Sequence, residues 1–128
     1  AGDDSVGSRH SEGGGELFGW LSADIERHFA TDRTVASYAS RLGYSTRTLN
    51  RAALAHAGVT AKELIDRRVV LEAKRRLAHE RVPVAEIAES LGFADPSNFS
   101  AFFTARVGRT PLTFRVDSRS EVARQGGE

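Results

Sequence analysis

The side chains in this sequence that could do chemistry are cations, amides and hydroxyls rather than nucleophile–base pairs. One group is Thr46, Arg47, Asn50 and Arg51, which with Leu54 fall on the outward side of a helix expected from about Thr46 to Ala57. A second is the basic cluster Arg67, Arg68, Lys74, Arg75 and Arg76 on a later helix. Cations placed in this way suit a polyanion. For the cluster, phosphate contact by one or two side chains stands against a plain solvated face. Catalysis has little to work with. The four histidines, His10, His28, His56 and His79, lie on separate segments without metal-ligand spacing, and neither a nucleophile–base pattern nor a glycine-rich phosphate loop is present. No cofactor, no metal and no enzymatic activity are expected.

The elements that must position these groups are repeated. Val35-Ala36, Ala39 and Leu42-Gly43-Tyr44 return as Val84-Ala85, Ala88 and Leu91-Gly92-Phe93, offset by 49 residues. Leu49, Gly58 and Thr60 return as Phe99, Gly108 and Thr110, offset by 50, so one residue is inserted next to Asp95. A self-similar unit of this length is a repeated supersecondary element. Val35, Ala39 and Leu42 stand at i, i+4 and i+7, one face of a helix. Gly43 then permits a left-handed residue at the helix end. Ser45 can cap the next helix, whose inward residues include Leu49 and Ala53. In the second copy Asp95 sits at the N-cap and Pro96 at the first helical position, where its missing N–H costs nothing. Helix, glycine turn, helix is the helix-turn-helix pattern, and two copies in register are far more specific than one.

The 128 residues suit one domain or two very small ones, with 40% hydrophobic content and no cysteine. Disulfides and thiolate metal sites are excluded, and a reducing cytoplasm is the expected location. No apolar run approaches the roughly 20 residues of a membrane span, and no signal-peptide pattern is present. The net charge of +1 hides an asymmetry. Residues 17–116 hold 15 Lys plus Arg against 10 Asp plus Glu, while the flanks hold 3 against 7.

Residues 1–16, rich in Gly, Ser and acid, read as a flexible linker or a cloning remnant. The first subdomain is expected over 17–60, opening with a helical face of which Trp20, Ile25 and Phe29 pack on the first helix pair. Thr34 is a good N-cap. Thr60 and Glu63 form a capping box that starts a linker helix over 61–79, spanning about 28 Å at a rise of about 1.5 Å per residue. The second subdomain covers 80–116, with Phe99, Phe102 and Phe103 as core and Thr110-Pro111 capping a last short helix. Residues 117–128 read as a disordered tail.

Several strings in this order closely resemble the AraC/XylS family of bacterial transcription regulators. They are Pro83-Val84-Ala85-Glu86-Ile87-Ala88, Leu91-Gly92-Phe93, Ser97 with Phe99-Ser100 and Phe103, and Gly108 with Thr110-Pro111 and Phe114-Arg115. The likeness spans about Leu17 to Arg115. It implies an all-α fold of about seven helices, with two helix-turn-helix subdomains joined by the long helix. Each subdomain would place its second helix in the major groove of double-stranded DNA. Successive groove faces lie about 34 Å apart, close to the linker length.

Carried over residue by residue, the resemblance makes Arg47, Asn50 and Arg51 base readers, with Thr46 and Thr48 beside them. Arg matches guanine and Asn matches adenine in the major groove, each pair worth roughly 1–3 kcal/mol of discrimination. Phosphate contact by one of them is the alternative. The second unit offers Pro96, Ser97, Asn98, Ser100 and Ala101. Ala101 and Thr104 stand where basic residues are common in the family. That short, uncharged surface suits phosphate anchoring or a thymine methyl as well as base reading. In the first unit Ala53 replaces a usual aromatic, and Leu54 is the residue that could compensate. Phosphate contacts fall to Thr34, Ser45, Arg75 and Thr110, mostly through helix-start N–H groups; Pro83 opens another such start.

The leading function is therefore sequence-specific DNA binding by the DNA-binding fragment of a longer regulator. Its effector or dimerisation domain would lie on an N-terminal part outside this chain. RNA polymerase is the further partner that the resemblance implies, and no membrane is involved. A protein-interaction or non-specific DNA module is the competing reading. Ala101 and the modest basic balance favour it; Arg47 and Asn50 oppose it.

Overall fold

Each repeat turns on a glycine in the left-handed region. Gly43, at φ +80°, closes the first short helix: its N–H donates to Ser40 O and that of Tyr44 to Ala39 O. Gly92, at φ +84°, does the same in the second copy, with Glu89 O and Ala88 O as acceptors. A side chain at either glycine would meet the steric cost that L-residues carry at positive φ.

The computed structural model describes residues 2–126, with side chains from Gly15 to Arg124 except Val122. Among the described residues there are seven helices and no strand: α1 Gly2–His28, α2 Val35–Leu42, α3 Thr46–Ala57, α4 Ala61–His79, α5 Val84–Ser90, α6 Pro96–Val107 and α7 Pro111–Gly126. The all-α, two-hairpin architecture is the expected one. Two ends differ. Helix α1 runs back to Gly2 through the segment expected as a flexible linker, because each residue added to an existing helix closes one more backbone hydrogen bond. The side chains of residues 2–14 lie outside the described ones. Helix α7 runs on through the expected tail because its side chains have partners: Asp117 pairs with Arg109 at 2.9 Å, and Arg119 donates to Glu80 O. Residues 127 and 128 lie outside the described residues.

The chain divides into two compact units, Ala1–Arg68 and Val69–Glu128. The division falls inside α4. Its first half contributes Ala61 and Ile65 to the first core; its second half buries Val69, Ala73 and Leu77.

The first core is α1 against α2 and α3. Leu17, Leu21 and Ile25 meet Tyr38, Ala39, Leu49, Ala52 and Ala53. Trp20, expected inside, is 48% exposed, and Leu21 is buried in its place. The reason is register: 17, 21, 25 and 28 share a helical stripe, from which residue 20 is turned away. Leu54 is 52% exposed and does not compensate for Ala53. The alanine pair at 52 and 53 instead lets α1 pack directly on α3. Asp24 is buried and holds Arg41 Nε at 2.9 Å, while Arg41 Nη1 reaches Asp32 at 2.9 Å. Burial pushes the Asp32 carboxyl up, but the Thr34 N–H and Arg41 outweigh it and hold it below the usual carboxylate range. The Tyr38 hydroxyl donates to Asp32 O at 2.8 Å, and burial with the nearby Asp32 charge pushes it up to about 12.

The second core is aromatic. Phe99 and Phe103 are fully buried, with ring centroids 5.9 Å apart, and Phe93 and Phe114 pack on them at 5.2 and 5.6 Å. Phe102 is half-buried against Phe93. Helix α7 also closes the C-terminal end of α4, since Arg115 donates to Leu77 O at 3.2 Å and Arg119 to Glu80 O. Cations there satisfy carbonyls that the helix leaves open and complement its dipole.

Candidate nucleic-acid interface

Helix α3 is fixed at both ends before its outer face is considered. The Ser45 hydroxyl accepts the Thr48 N–H at 3.1 Å and lies 2.9 Å from the Thr48 hydroxyl. Gly58, at φ +72°, ends the helix. Leu49, Ala52 and Ala53 face the core. The opposite stripe, Arg47, Arg51 and Leu54 at i, i+4 and i+7, is exposed, with Thr46 beside it. Among the described residues no carboxylate pairs with Arg47 or Arg51. Two unneutralised guanidinium groups one turn apart on a braced helix form a donor face for an anionic or acceptor-rich ligand.

Two expected members of this face have other work. Asn50 is half-buried, and its carboxamide oxygen accepts the Ala61 N–H at 3.0 Å. Bidentate adenine reading, the expected role of Asn50, would call on that same oxygen. Thr48 is half-buried and bonded to Ser45, which places it in the cap rather than on the open face.

On α6, Asp95 caps the helix, accepting the Ser97 N–H at 2.8 Å and the Ser97 hydroxyl at 2.6 Å. Those two bonds hold the Asp95 carboxyl below the usual range. Pro96, Ser97, Asn98 and Ala101 are exposed and Ser100 is half-buried. The face is uncharged, and it starts beside an ionised carboxylate that already engages the Ser97 hydroxyl.

The phosphate candidates separate in the same way. Arg75 is held by Glu72 in two hydrogen bonds of 2.6 and 3.2 Å, with Glu80 at 3.9 Å, and those acids raise its pKa further. It is not an uncommitted cation. Three more cations of the α4 cluster are similarly occupied, Arg67 by Glu63, Arg68 by Glu26 and Arg76 by Glu80, while Lys74 Nζ lies 5.9 Å from the Phe114 ring centroid. Thr34 is exposed and makes no side-chain cap, but its N–H goes to Asp32, whose ionised carboxylate disfavours a phosphate there. Thr110 accepts the Thr113 N–H at 3.1 Å, as Thr60 accepts that of Glu63 at 3.2 Å. The threonine half of the expected capping box is formed, and the Glu63 carboxylate also takes Arg67. Ser45 and Thr110 remain exposed at helix starts. Sequence reasoning passed over Arg81, an exposed cation in the turn before α5 without a carboxylate partner among the described residues. The available signal was Glu80, which stands four residues after Arg76 and so pairs back along the helix.

Two capped helix–glycine-turn–helix hairpins, each presenting its second helix outward, define a helix-turn-helix protein. The helix-turn-helix domain family matches over residues 38–116. The chain belongs to that family, in its AraC/XylS branch. It is 36% identical over 95 residues to the HTH-type transcriptional activator RhaS of Escherichia fergusonii, covering 74% of this chain and 34% of that protein. Against RhaS of Pectobacterium carotovorum it is 31% identical over 99 residues, covering 77% and 34%. The chain thus spans about a third of the curated relatives it matches. Among solved structures it resembles the C-terminal domain of AraT, a response regulator from Geobacillus stearothermophilus. That likeness has a TM-score of 0.75 and 26% identity, and covers 79% of this chain and 84% of that one. It also resembles the DNA-binding domain of the global transcriptional factor AdpA in complex with a target DNA. There the TM-score is 0.69 at 25% identity, over 84% and 94% of the two chains. No helix among the described residues is long and apolar enough to cross a membrane.

Proposed function

We propose that this chain is the sequence-specific double-stranded DNA-binding portion of a transcription activator, with α3 as the helix that reads bases. The observation that carries this is the exposed Arg47–Arg51 stripe, unneutralised among the described residues, on a helix capped at both ends. Arg47 and Arg51 pair with guanine edges in the major groove, and Thr46 adds a hydroxyl. Helix α6 enters the adjoining groove segment chiefly as an anchor, through Pro96, Asn98 and Ala101 against the backbone or a thymine methyl. Ser45, Thr110 and Arg81 contact phosphates. The DNA-bound AdpA neighbour supports the ligand class, and the RhaS relatives support activation.

On this reading the chain is organised as 17–60, 61–79 and 80–116 around one duplex. The effector or dimerisation domain lies elsewhere in a longer protein, and RNA polymerase is the further partner. Selection of bound sequences from a random DNA pool, followed by footprinting, tests the proposal. One asymmetric site with a strong salt dependence is expected. Equal affinity for selected and scrambled DNA would leave only a non-specific module.

A further inference from the structure

The base of α4 shows why Asn50 stands where it does. Ala61 is the first residue of α4 and is fully buried. The first N–H groups of a helix have no partner within it, and a buried one without an acceptor is costly. Thr60 deals with the next donors: its hydroxyl takes the Glu63 N–H and its carbonyl the Leu64 N–H at 3.1 Å. The Ala61 N–H points instead at α3, where Asn50 accepts it.

The second copy meets the same requirement differently. Thr110 repeats Thr60 in both bonds, taking the Thr113 N–H and, at 2.9 Å, the Phe114 N–H. The residue in the place of Ala61 is Pro111, also fully buried, which has no N–H to satisfy. The residue in the place of Asn50 is Ser100. One copy removes the donor and the other supplies an acceptor.

We infer that Asn50 is a positioning residue for DNA recognition: by accepting the buried Ala61 N–H it spares the base of α4 an unsatisfied donor that would otherwise pull away from the reading helix α3 toward water, and Ala61→Pro removes that donor and the need for an acceptor. The inference rests on α3 being the reading helix. Asn50 sits between Arg47 and Arg51, so loosening it moves both guanidinium groups together and touches no single base pair.

The test uses four proteins: the parent chain, Asn50→Ala, Ala61→Pro and the double variant. Hydrogen exchange of the Ala61 amide is measured in the parent and in Asn50→Ala. Affinity for the selected DNA, and for a panel of single-base variants of it, is measured in all four. The expected result is lost Ala61 protection in Asn50→Ala. Its affinity should fall by about fivefold or more, evenly across the panel, and return to within about twofold of the parent in the double variant. A loss confined to one base position, with no recovery by Ala61→Pro, would make Asn50 a base reader and overturn the inference. If Asn50→Ala does not fold, the double variant decides alone: parent-like affinity supports the inference, and weak binding in a folded protein defeats it. Unchanged Ala61 protection in Asn50→Ala defeats it whatever the DNA does. Absence of selective DNA binding by the parent removes the proposed function instead and leaves the amide measurement standing.

Discussion

The two halves of this chain share a backbone plan and differ in nearly everything attached to it. Both have the glycine turn at φ near +80°, a capped second helix and a threonine cap on the helix after it. Inside, the first half sets Ala52 and Ala53 against the leucines of α1, where the second sets Phe102 and Phe103 among other phenylalanines. Outside, Arg47 and Arg51 face the corresponding Ser97 and Ala101. The turn and caps are local chemistry and recur because the geometry demands them. The interior has only to be filled, by an added helix or by larger side chains, and the exterior is free for the ligand to shape. The contrast supports the proposal that the first half reads and the second anchors.

Core truncations should show the largest effects, each in its own half. Phe103→Ala is expected to cost about 3–5 kcal/mol and Leu21→Ala about 2–5 kcal/mol in chemical denaturation. Amide exchange should lose protection first in the unit that carries the change. Uniform loss in both units would mean that the division at Arg68 has no energetic counterpart.

On the outer faces, Arg47→Ala should weaken specific binding by about 1–3 kcal/mol. Ser97→Ala should change it by less than about 0.5 kcal/mol, because that hydroxyl is spent on Asp95. Titrations against one selected duplex compare the two directly, and the reverse order would exchange the roles of the helices. Ala101→Glu puts a charge like that of phosphate on the proposed anchoring face and should impair DNA binding without altering the unfolding midpoint. Unchanged affinity would show that this face never meets DNA.

A smaller effect concerns pH. Asp32 in the first half and Asp95 in the second both lie below the usual carboxylate value. A depressed folded-state pKa means that the unfolded chain binds the proton more readily. The stability each gives is full above about pH 5 and is lost as pH falls below about 4. Both units should lose protection over that range, and Asp32→Asn should flatten the fall only in the first. Smallest of all, Leu54→Ala should stay within about 0.5 kcal/mol, since that side chain is half out in solvent.

Periodicity and punctuation were enough to read the two hairpins, the bounds of α4 and the aromatic core, because each is a local pattern. What escaped was decided by partners distant in sequence. Trp20 and Leu21 are one residue apart, and only the seat of α1 on α3 selects the leucine. The tail beyond Val116 looked featureless until Arg119 met a carbonyl almost forty residues earlier. The bond from the Ala61 N–H to Asn50 escaped because residue type carries no record of a backbone N–H across the next turn. The ion pairs of Arg75 escaped because its acids, at i−3 and i+5, bracket it only once the helix and its end are formed.

The division of labour is tested most directly by selecting DNA from a random pool with the parent chain and with Arg47→Ala, side by side. The expected result is one asymmetric site in which the variant loses preference at one or two adjacent positions of a single groove segment and keeps the rest. Identical selected sequences for the two proteins would contradict the assignment of α3 as the helix that reads.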